Sequence, residues 1–142
     1  MSDKLETAAL LLRAAYAQSP ISPLRDYLDP TDAAGAYAVQ AINTRFWEAQ
    51  GRRIVGRKAG LTAKAVQEQL GVDQPDFGVL FDDMAIADGG RLDPARALQP
   101  KAEAEIAFVL GKDLPDPDTT TAMVADAVAT VHAAIEIVDS RI

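Results

Sequence analysis

Hydrophobic and polar residues alternate along the segment KAEAEIAFVL, which runs from Lys101 to Leu110. One alternating set is wholly apolar, whereas the other carries Lys101, Glu103 and Glu105. Because successive side chains of a strand point to opposite faces, this pattern predicts a strand with one buried face. Glu103 and Glu105 would then lie on the same side, about 6 to 7 Å apart by strand rise. Like charges at that spacing are costly to bury unless they share a cation.

The first fifty residues have helical periodicity instead. Apolar residues recur at helical spacing from about Asp3 to Gln18, which predicts an amphipathic helix, and a proline-containing stretch ends it. A second helix is predicted to begin with Asp29 as its N-cap and Pro30 in its first position, and to end before Gly51. The chain therefore opens with a helical region at residues 1–51.

Shorter elements follow in the rest of the chain. Residues 52–58 read as a strand, Thr62 as the cap of a short helix closed by Gly71, and residues 77–81 as another strand. After the segment that ends at Leu110, threonines 119–121 offer caps for a helix to about residue 133, with a last strand at 135–138. Helices followed by strands predict an α+β protein. Because the chain stops directly after an apolar strand, we expect a truncated domain.

Composition and charge narrow the function. The chain has 142 residues, of which 49% are hydrophobic, enough for one domain with a core. Its net charge of −7 argues against binding to nucleic acid or to an anionic membrane surface. There is no cysteine and only one histidine, His132, so zinc–sulfur and histidine-based zinc sites are excluded. With no membrane-length apolar run and no signal-peptide pattern, the expected location is the cytoplasm.

A third acid makes a metal site a serious alternative to a solvated face. Glu136 stands among apolar residues in AAIEIVDSRI, as Glu103 and Glu105 do in their own strand. Two acids alone would favour a solvated face, partly neutralised by Lys101. Three carboxylates on two short strands make a metal site an equal alternative to that solvated face. An all-oxygen ligand set favours Mg²⁺, Mn²⁺ or Ca²⁺.

Two further residues have both a structural and a chemical interpretation. Lys58 could belong to a surface cluster of basic residues, or it could transfer a proton near a dication. Asp76, in QPDFG, is explained by turn chemistry alone, which is the more common reason for such a sequence. Other members of the basic cluster would be arginines 52, 53 and 57.

Taken in order, three stretches resemble one known family. RRIVGRKAGLTAKAVQEQLGVDQPDFGVLFDDM, LQPKAEAEIAFVLGKDL and AAIEIVDSRI are similar to the 2-keto-4-pentenoate hydratases. The same family includes the 4-oxalocrotonate decarboxylases of aromatic meta-cleavage pathways and belongs to the fumarylacetoacetate hydrolase superfamily. The resemblance implies helices followed by a mixed, rolled β-sheet, with residues 52–142 forming the first part of that catalytic domain. Family members continue for about as long again.

The resemblance also implies a site and a reaction. Glu103, Glu105 and Glu136 would hold Mg²⁺ or Mn²⁺, and Lys58 and Asp76 would transfer protons and orient water. The reaction would be hydration of 2-hydroxypenta-2,4-dienoate to 4-hydroxy-2-oxopentanoate, through a metal-stabilised dienolate. The family also implies a homo-oligomer and association between hydratase and decarboxylase.

Two alternatives remain open at this point. The motif KAGLT, with alanine after the lysine, resembles the decarboxylases, whereas the motifs PDFG and VLFDDM favour the hydratase. The first alternative is therefore a 4-oxalocrotonate decarboxylase on the same scaffold. The second is a truncated, non-catalytic chain that binds metal or a protein partner.

Overall fold

The computed structural model describes residues 2–17 and 19–142, without the side chain of residue 2. The chain divides into two compact units, residues 1–96 with 141–142 and residues 97–140. Both helices and antiparallel strands are present, so the predicted α+β class is confirmed. The predicted division after residue 51 stays a prediction.

Two helices form the core of the first unit. α1 (Ser2–Ala15) packs on α2 (Ala33–Ala49). The centre of their interface is small and almost wholly buried, because Ala8, Ala9 and Val39 are at most 2% exposed. Alanine side chains let the helix backbones approach closely, and larger side chains close the rim: Leu5, Leu12, Leu24, Tyr27, Leu28 and Ile42. The predicted end of the first helix, Gln18, lies outside the described residues.

The prediction for the start of α2 was wrong. Asp32, not Asp29, is the N-cap, since its Oδ1 accepts a hydrogen bond of 2.8 Å from the Gly35 amide. Asp29 instead accepts bonds from the amide and hydroxyl of Thr31, which hold a turn before the helix. Aspartate side chains favour both caps and turns. Asp29 makes its hydrogen bonds within the turn around Pro30, so Asp32 caps the helix.

A β-hairpin with a helix in its connection follows α2. β1 (Ile54–Gly60) pairs antiparallel with β2 (Asp76–Phe81), and α3 (Lys64–Leu70) lies between them in sequence. β1 thus begins two residues later than predicted. The N-cap of α3 is Ala63 and makes no side-chain cap bond, so the predicted cap at Thr62 was wrong. Gly71 ends the helix as predicted, with a left-handed φ of 70°.

Aromatic and ionic contacts attach this hairpin to α2. Trp47 packs edge-on against Phe81, with ring centroids 5.9 Å apart, and Phe81 is only 2% exposed. The Arg52 guanidinium lies 4.2 Å from the Phe81 ring centroid and binds Asp83 at 2.6 Å. The pKa of Asp82 is lowered, most strongly by a hydrogen bond from the Arg53 amide and next by one from the Arg53 guanidinium.

The second unit is also a hairpin. β3 (Lys101–Leu110), α4 (Thr121–Ala127) and β4 (Val128–Val138) follow in order, and β3 pairs antiparallel with β4. The bounds of β3 match the prediction, as does the helix cap at Thr120. The predicted helix to residue 133 was wrong, because β4 already begins at Val128. β-branched residues there fit a strand, and the ladder to β3 gives their backbone groups partners.

One face of this second hairpin is apolar along its whole length. Antiparallel partners share a face, and the eight residues on this one are all exposed: Ala102, Ala104, Ile106, Phe108, Val131, Ala133, Ile135 and Ile137. Ile135 is 73% exposed and Ile106 64%. The prediction that the apolar face of β3 is buried was therefore wrong for the residues described, although its alternation is correct.

The strands described pair only antiparallel, in two separate hairpins. A mixed sheet is thus not formed by residues 2–17 and 19–142, because a parallel pair requires a crossover back into the same sheet, and each hairpin here closes on its own partner. Within the same residues, no helix combines the length and apolar character needed to cross a membrane.

Replacing Asp32 with alanine should lower the free energy of unfolding by about 1 kcal/mol, because the Gly35 amide loses its partner at the start of α2. Asp32→Asn should keep most of the stability, since its amide oxygen can accept the same bond. Urea denaturation followed by helical circular dichroism measures both variants. Equal stability of the alanine and asparagine variants would contradict the cap assignment.

Candidate functional site

The register of β3 and β4 brings three predicted metal ligands together. Glu103 lies directly opposite Glu136, and Glu105 lies two residues further along β3, opposite Ala134. Because paired residues share a face and alternate residues return to it, all three carboxylates project from the same side of the hairpin. This side is opposite the apolar face.

These carboxylates lie close enough together to share one cation after small side-chain movements. One oxygen from each glutamate can be chosen so that all three lie within 4.8 Å of one another. Neighbouring ligand oxygens are about 3 Å apart around Mg²⁺, and opposite ones are about 4.2 Å apart. Glu103 and Glu105 are exposed and Glu136 is half-buried, so water can reach the site. The oxygen donors therefore fit a hard cation with positions left for other ligands.

A fourth acid, which is not among the predicted site residues, fixes one end of this hairpin. The carboxylate of Asp139, just beyond β4, accepts hydrogen bonds from the amides of Leu98 and Gln99, at 2.8 and 2.6 Å. These amides precede β3, so the bonds clamp the start of one strand to the end of the other. Acidic residues after a strand are common, and nothing in the local pattern distinguishes Asp139 from a solvated acid.

The other two predicted site residues meet on one face of the first hairpin. Lys58 pairs with Gly78, and Asp76 pairs with Gly60. A Cβ added at Gly60 would contact Asp76 Oδ1 and would lie 3.2 Å from Lys58 Nζ. A Cβ at Gly78 would lie 3.0 Å from Lys58 Cγ and Cδ. The missing side chains of two glycines therefore make room for the lysine stem and for both charged groups.

Lys58 is not part of a basic surface cluster. It lies on the half-buried face of β1, whereas Arg57 lies on the exposed face and donates to the carbonyl of Gly56. Arg52 and Arg53 are occupied by carboxylates beyond the end of β2. The structure therefore separates Lys58 from its basic neighbours in sequence and brings it to Asp76.

Helix α2 holds the strand that carries Asp76. The Phe77 amide donates to the hydroxyl of Tyr37 and its carbonyl accepts from Gln40 Nε2, both at 3.0 Å. Tyr37 and Gln40 are three residues apart and so lie on one side of the helix. They satisfy both backbone groups of the residue that follows Asp76. No sequence pattern indicates them, because their partner is a backbone that only the tertiary structure brings near.

An open cavity of about 290 Å³ adjoins the same contacts. It is lined by Ala33, Ala36, Tyr37, Gln40, Asp76 and Phe77. Asp76 therefore has a solvent-accessible space beside it, which a small molecule or water can enter.

Comparison with known proteins gives relatives over nearly the whole chain. It is 58% identical to 2-keto-4-pentenoate hydratase 2 of Dechloromonas aromatica (strain RCB) over 138 residues, which is 96% of this chain and 53% of the relative. It is 51% identical to 2-keto-4-pentenoate hydratase of Burkholderia vietnamiensis over 145 aligned positions, covering 100% of this chain and 55% of that protein. The chain thus spans about half the length of the curated relatives it matches. No family model matches.

Solved structures agree with these relatives. The fold superposes with a TM-score of 0.87 on 4-oxalocrotonate decarboxylase from Pseudomonas putida G7, complexed with calcium and acetate. Identity is 34%, and the match covers 99% of this chain and 54% of the decarboxylase. The same enzyme complexed with magnesium and adipate matches equally well.

Gly60→Ala should displace the Asp76 carboxylate, because the added methyl group would overlap Oδ1 of this exposed, flexible side chain. The Asp76 Cγ resonance should therefore shift in NMR spectra. Gly56→Ala is the matched control and should leave that resonance in place, since it lies on the same strand and face and its nearest contact would be Leu80 Cδ1 at 3.6 Å. An unshifted Asp76 resonance in Gly60→Ala would show that Asp76 does not pack over Gly60.

Calorimetric titration of metal-stripped protein with Mg²⁺ should detect binding that each of Glu103→Gln, Glu105→Gln and Glu136→Gln weakens at least about tenfold, because each removes an anionic ligand. Glu68→Gln is the control, because it removes the same charge from an exposed residue of α3, and it should leave the affinity for Mg²⁺ unaltered. Affinities unchanged in all three glutamine variants would contradict the ligand assignment.

Proposed function

We propose that this chain belongs to the family of 2-keto-4-pentenoate hydratases, to two of which it is 58% and 51% identical, and that it takes part in the hydration of 2-hydroxypenta-2,4-dienoate to 4-hydroxy-2-oxopentanoate. The observation that carries the proposal is the cluster of three carboxylates on the β3–β4 hairpin, in a chain 58% identical to a named hydratase. Such a reaction belongs to the catabolism of aromatic compounds by meta-cleavage.

Glu103, Glu105 and Glu136 are the proposed ligands of Mg²⁺ or Mn²⁺. Their oxygen-only donor set and mutual distances fit a hard dication, and solved structures of the related decarboxylase are complexed with calcium or magnesium. When bound, such a cation supplies Lewis acidity to the carboxylate and 2-oxo end of the substrate. Three glutamate ligands would leave other coordination positions of the ion for substrate oxygens or water.

Lys58 and Asp76 are the proposed groups for proton transfer and for orienting water. Ketonisation of the dienol moves a proton to the terminal carbon, C5, as the 2-hydroxyl proton leaves. Water then adds its oxygen to C4 and a proton to C3, so the net change is one water gained. Both steps require a donor and an acceptor of protons side by side, and the Lys58 ammonium and the Asp76 carboxylate both lie over Gly60.

Decarboxylation of 4-oxalocrotonate is the second candidate, favoured by the TM-score of 0.87 to a decarboxylase. The higher sequence identities to named hydratases make it the weaker one. It would release CO₂ from 4-oxalocrotonate and form the dienol, whereas hydration would consume the dienol without releasing CO₂. A non-catalytic role in metal or protein binding is the third candidate, and turnover of neither compound separates it from the other two.

The remaining features of the family are proposed for the whole protein. One of them is a rolled, mixed sheet of the fumarylacetoacetate hydrolase type. Residues 52–142 would form the first part of this sheet, after a helical region at 1–51. The exposed apolar face of the β3–β4 hairpin supports this, because the interior of a rolled sheet would bury one face of its strands. A homo-oligomer and association with the related decarboxylase are proposed on family grounds alone.

Turnover of 2-hydroxypenta-2,4-dienoate tests the proposal. With saturating Mg²⁺, loss of dienol absorbance without CO₂ release is expected, and Lys58→Ala or Asp76→Asn should lower kcat by about 10²- to 10⁴-fold because a proton-transfer group is lost. Lys4→Ala, which removes an exposed lysine from α1, is the control and should not change kcat. CO₂ release from 4-oxalocrotonate in a parallel assay would favour the decarboxylase, and no change in either compound would reject both enzymes.

A further inference from the structure

The segment between β1 and α3 contains an unusual backbone conformation. Leu61, which directly follows Gly60, has a φ of 56°, and it is the one non-glycine residue with positive φ in the described part of the chain. A γ-branched residue in the left-handed region is disfavoured, because its Cβ approaches the following carbonyl oxygen. Such a conformation persists only where surrounding contacts hold it, and it commonly occurs beside functional sites.

One buried side chain binds the backbone of Leu61. Gln67 on α3 is only 3% exposed, and its Nε2 donates a hydrogen bond of 2.6 Å to the Leu61 carbonyl. Its Oε1 accepts a bond of 3.1 Å from Lys64 Nζ. The amide therefore has partners at both ends, and its burial makes the loss of either bond costly.

The position of Gly60 links this amide to the candidate site. Lys58 Nζ and Asp76 Oδ1 both lie over Gly60, and Leu61 sets the direction in which the chain leaves it. Relaxation of Leu61 to a negative φ would rotate the backbone at the edge of that contact. We propose that Gln67 is a positioning residue, which fixes Leu61 and thereby the mutual placement of Lys58 and Asp76. The inference rests on the roles proposed for these two residues.

A variant that keeps the volume of the side chain separates positioning from packing. Gln67→Met retains length and burial but cannot donate to Leu61, so Lys58 Cε and Nζ and Asp76 Cγ resonances should shift in NMR spectra of a chain that stays folded. Gln69→Met is the matched control on the exposed side of the same helix and should leave these resonances in place. In turnover assays, Gln67→Met should lower kcat by about tenfold to a hundredfold with little change in KM, because reacting groups are misplaced.

Gln67→Glu distinguishes the two bonds of the amide. It can still accept from Lys64, but a carboxylate cannot donate to Leu61, so it should resemble Gln67→Met. Retention of wild-type Lys58 and Asp76 resonances in either folded variant would overturn the proposal. Should both variants unfold, the unmodified chain decides: a scalar coupling across the bond from Gln67 Nε2 to the Leu61 carbonyl carbon is expected, and its absence would overturn the proposal.

The NMR and kinetic results separate this inference from the proposed function. Shifted resonances in a chain whose wild type turns over no dienol would keep the positioning role and reject the hydratase. A normal wild-type rate with no shift and no loss of kcat in Gln67→Met would keep the hydratase and reject the positioning role.

Discussion

The register of the β3–β4 ladder is the constraint on which the candidate metal site depends. Side chains alternate with a period of two, so a slip of one residue would move Glu136 to the face opposite Glu103 and Glu105. The hairpin resists such a slip at one end through Asp139, which binds the two amides before β3. A set of like charges that would repel one another in the absence of a cation is thus held together by backbone pairing rather than by contacts among the acids.

The Lys58–Asp76 pair depends on a different physical requirement, which is the absence of side chains. Gly60 and Gly78 leave the space that the lysine stem and the two charged groups occupy. Helix α2 then holds the strand through Tyr37 and Gln40, and α3 holds the loop through Gln67. Two flexible ionic side chains are positioned by the backbone beneath them, and that backbone is fixed by amide and hydroxyl groups from neighbouring helices.

The two faces of the β3–β4 hairpin have opposite chemistry. One bears three carboxylates, and the other bears eight exposed apolar side chains. An apolar surface of this length is unusual on an isolated soluble hairpin, since exposed hydrophobic patches normally mark contact surfaces. The chain spans about half the length of the hydratases it resembles. The same hairpin therefore combines a candidate site for an ion with a surface suited to packing.

The sequence by itself determined the features that depend on local order. The alternation in KAEAEIAFVL predicted β3 to the residue, and Gly71 marked the end of α3, because periodicity and left-handed glycine caps are short-range signals. The five candidate site residues followed from motifs together with a family resemblance.

Tertiary structure decided what local signals leave open. It made residues 128–133 a strand, because they pair with the distant strand β3, and it chose Asp32 over Asp29 as the cap of α2. It also selected Asp139, Tyr37, Gln40 and Gln67, whose partners are backbone groups at least six residues away along the chain, and no sequence pattern specifies such a contact before the chain folds.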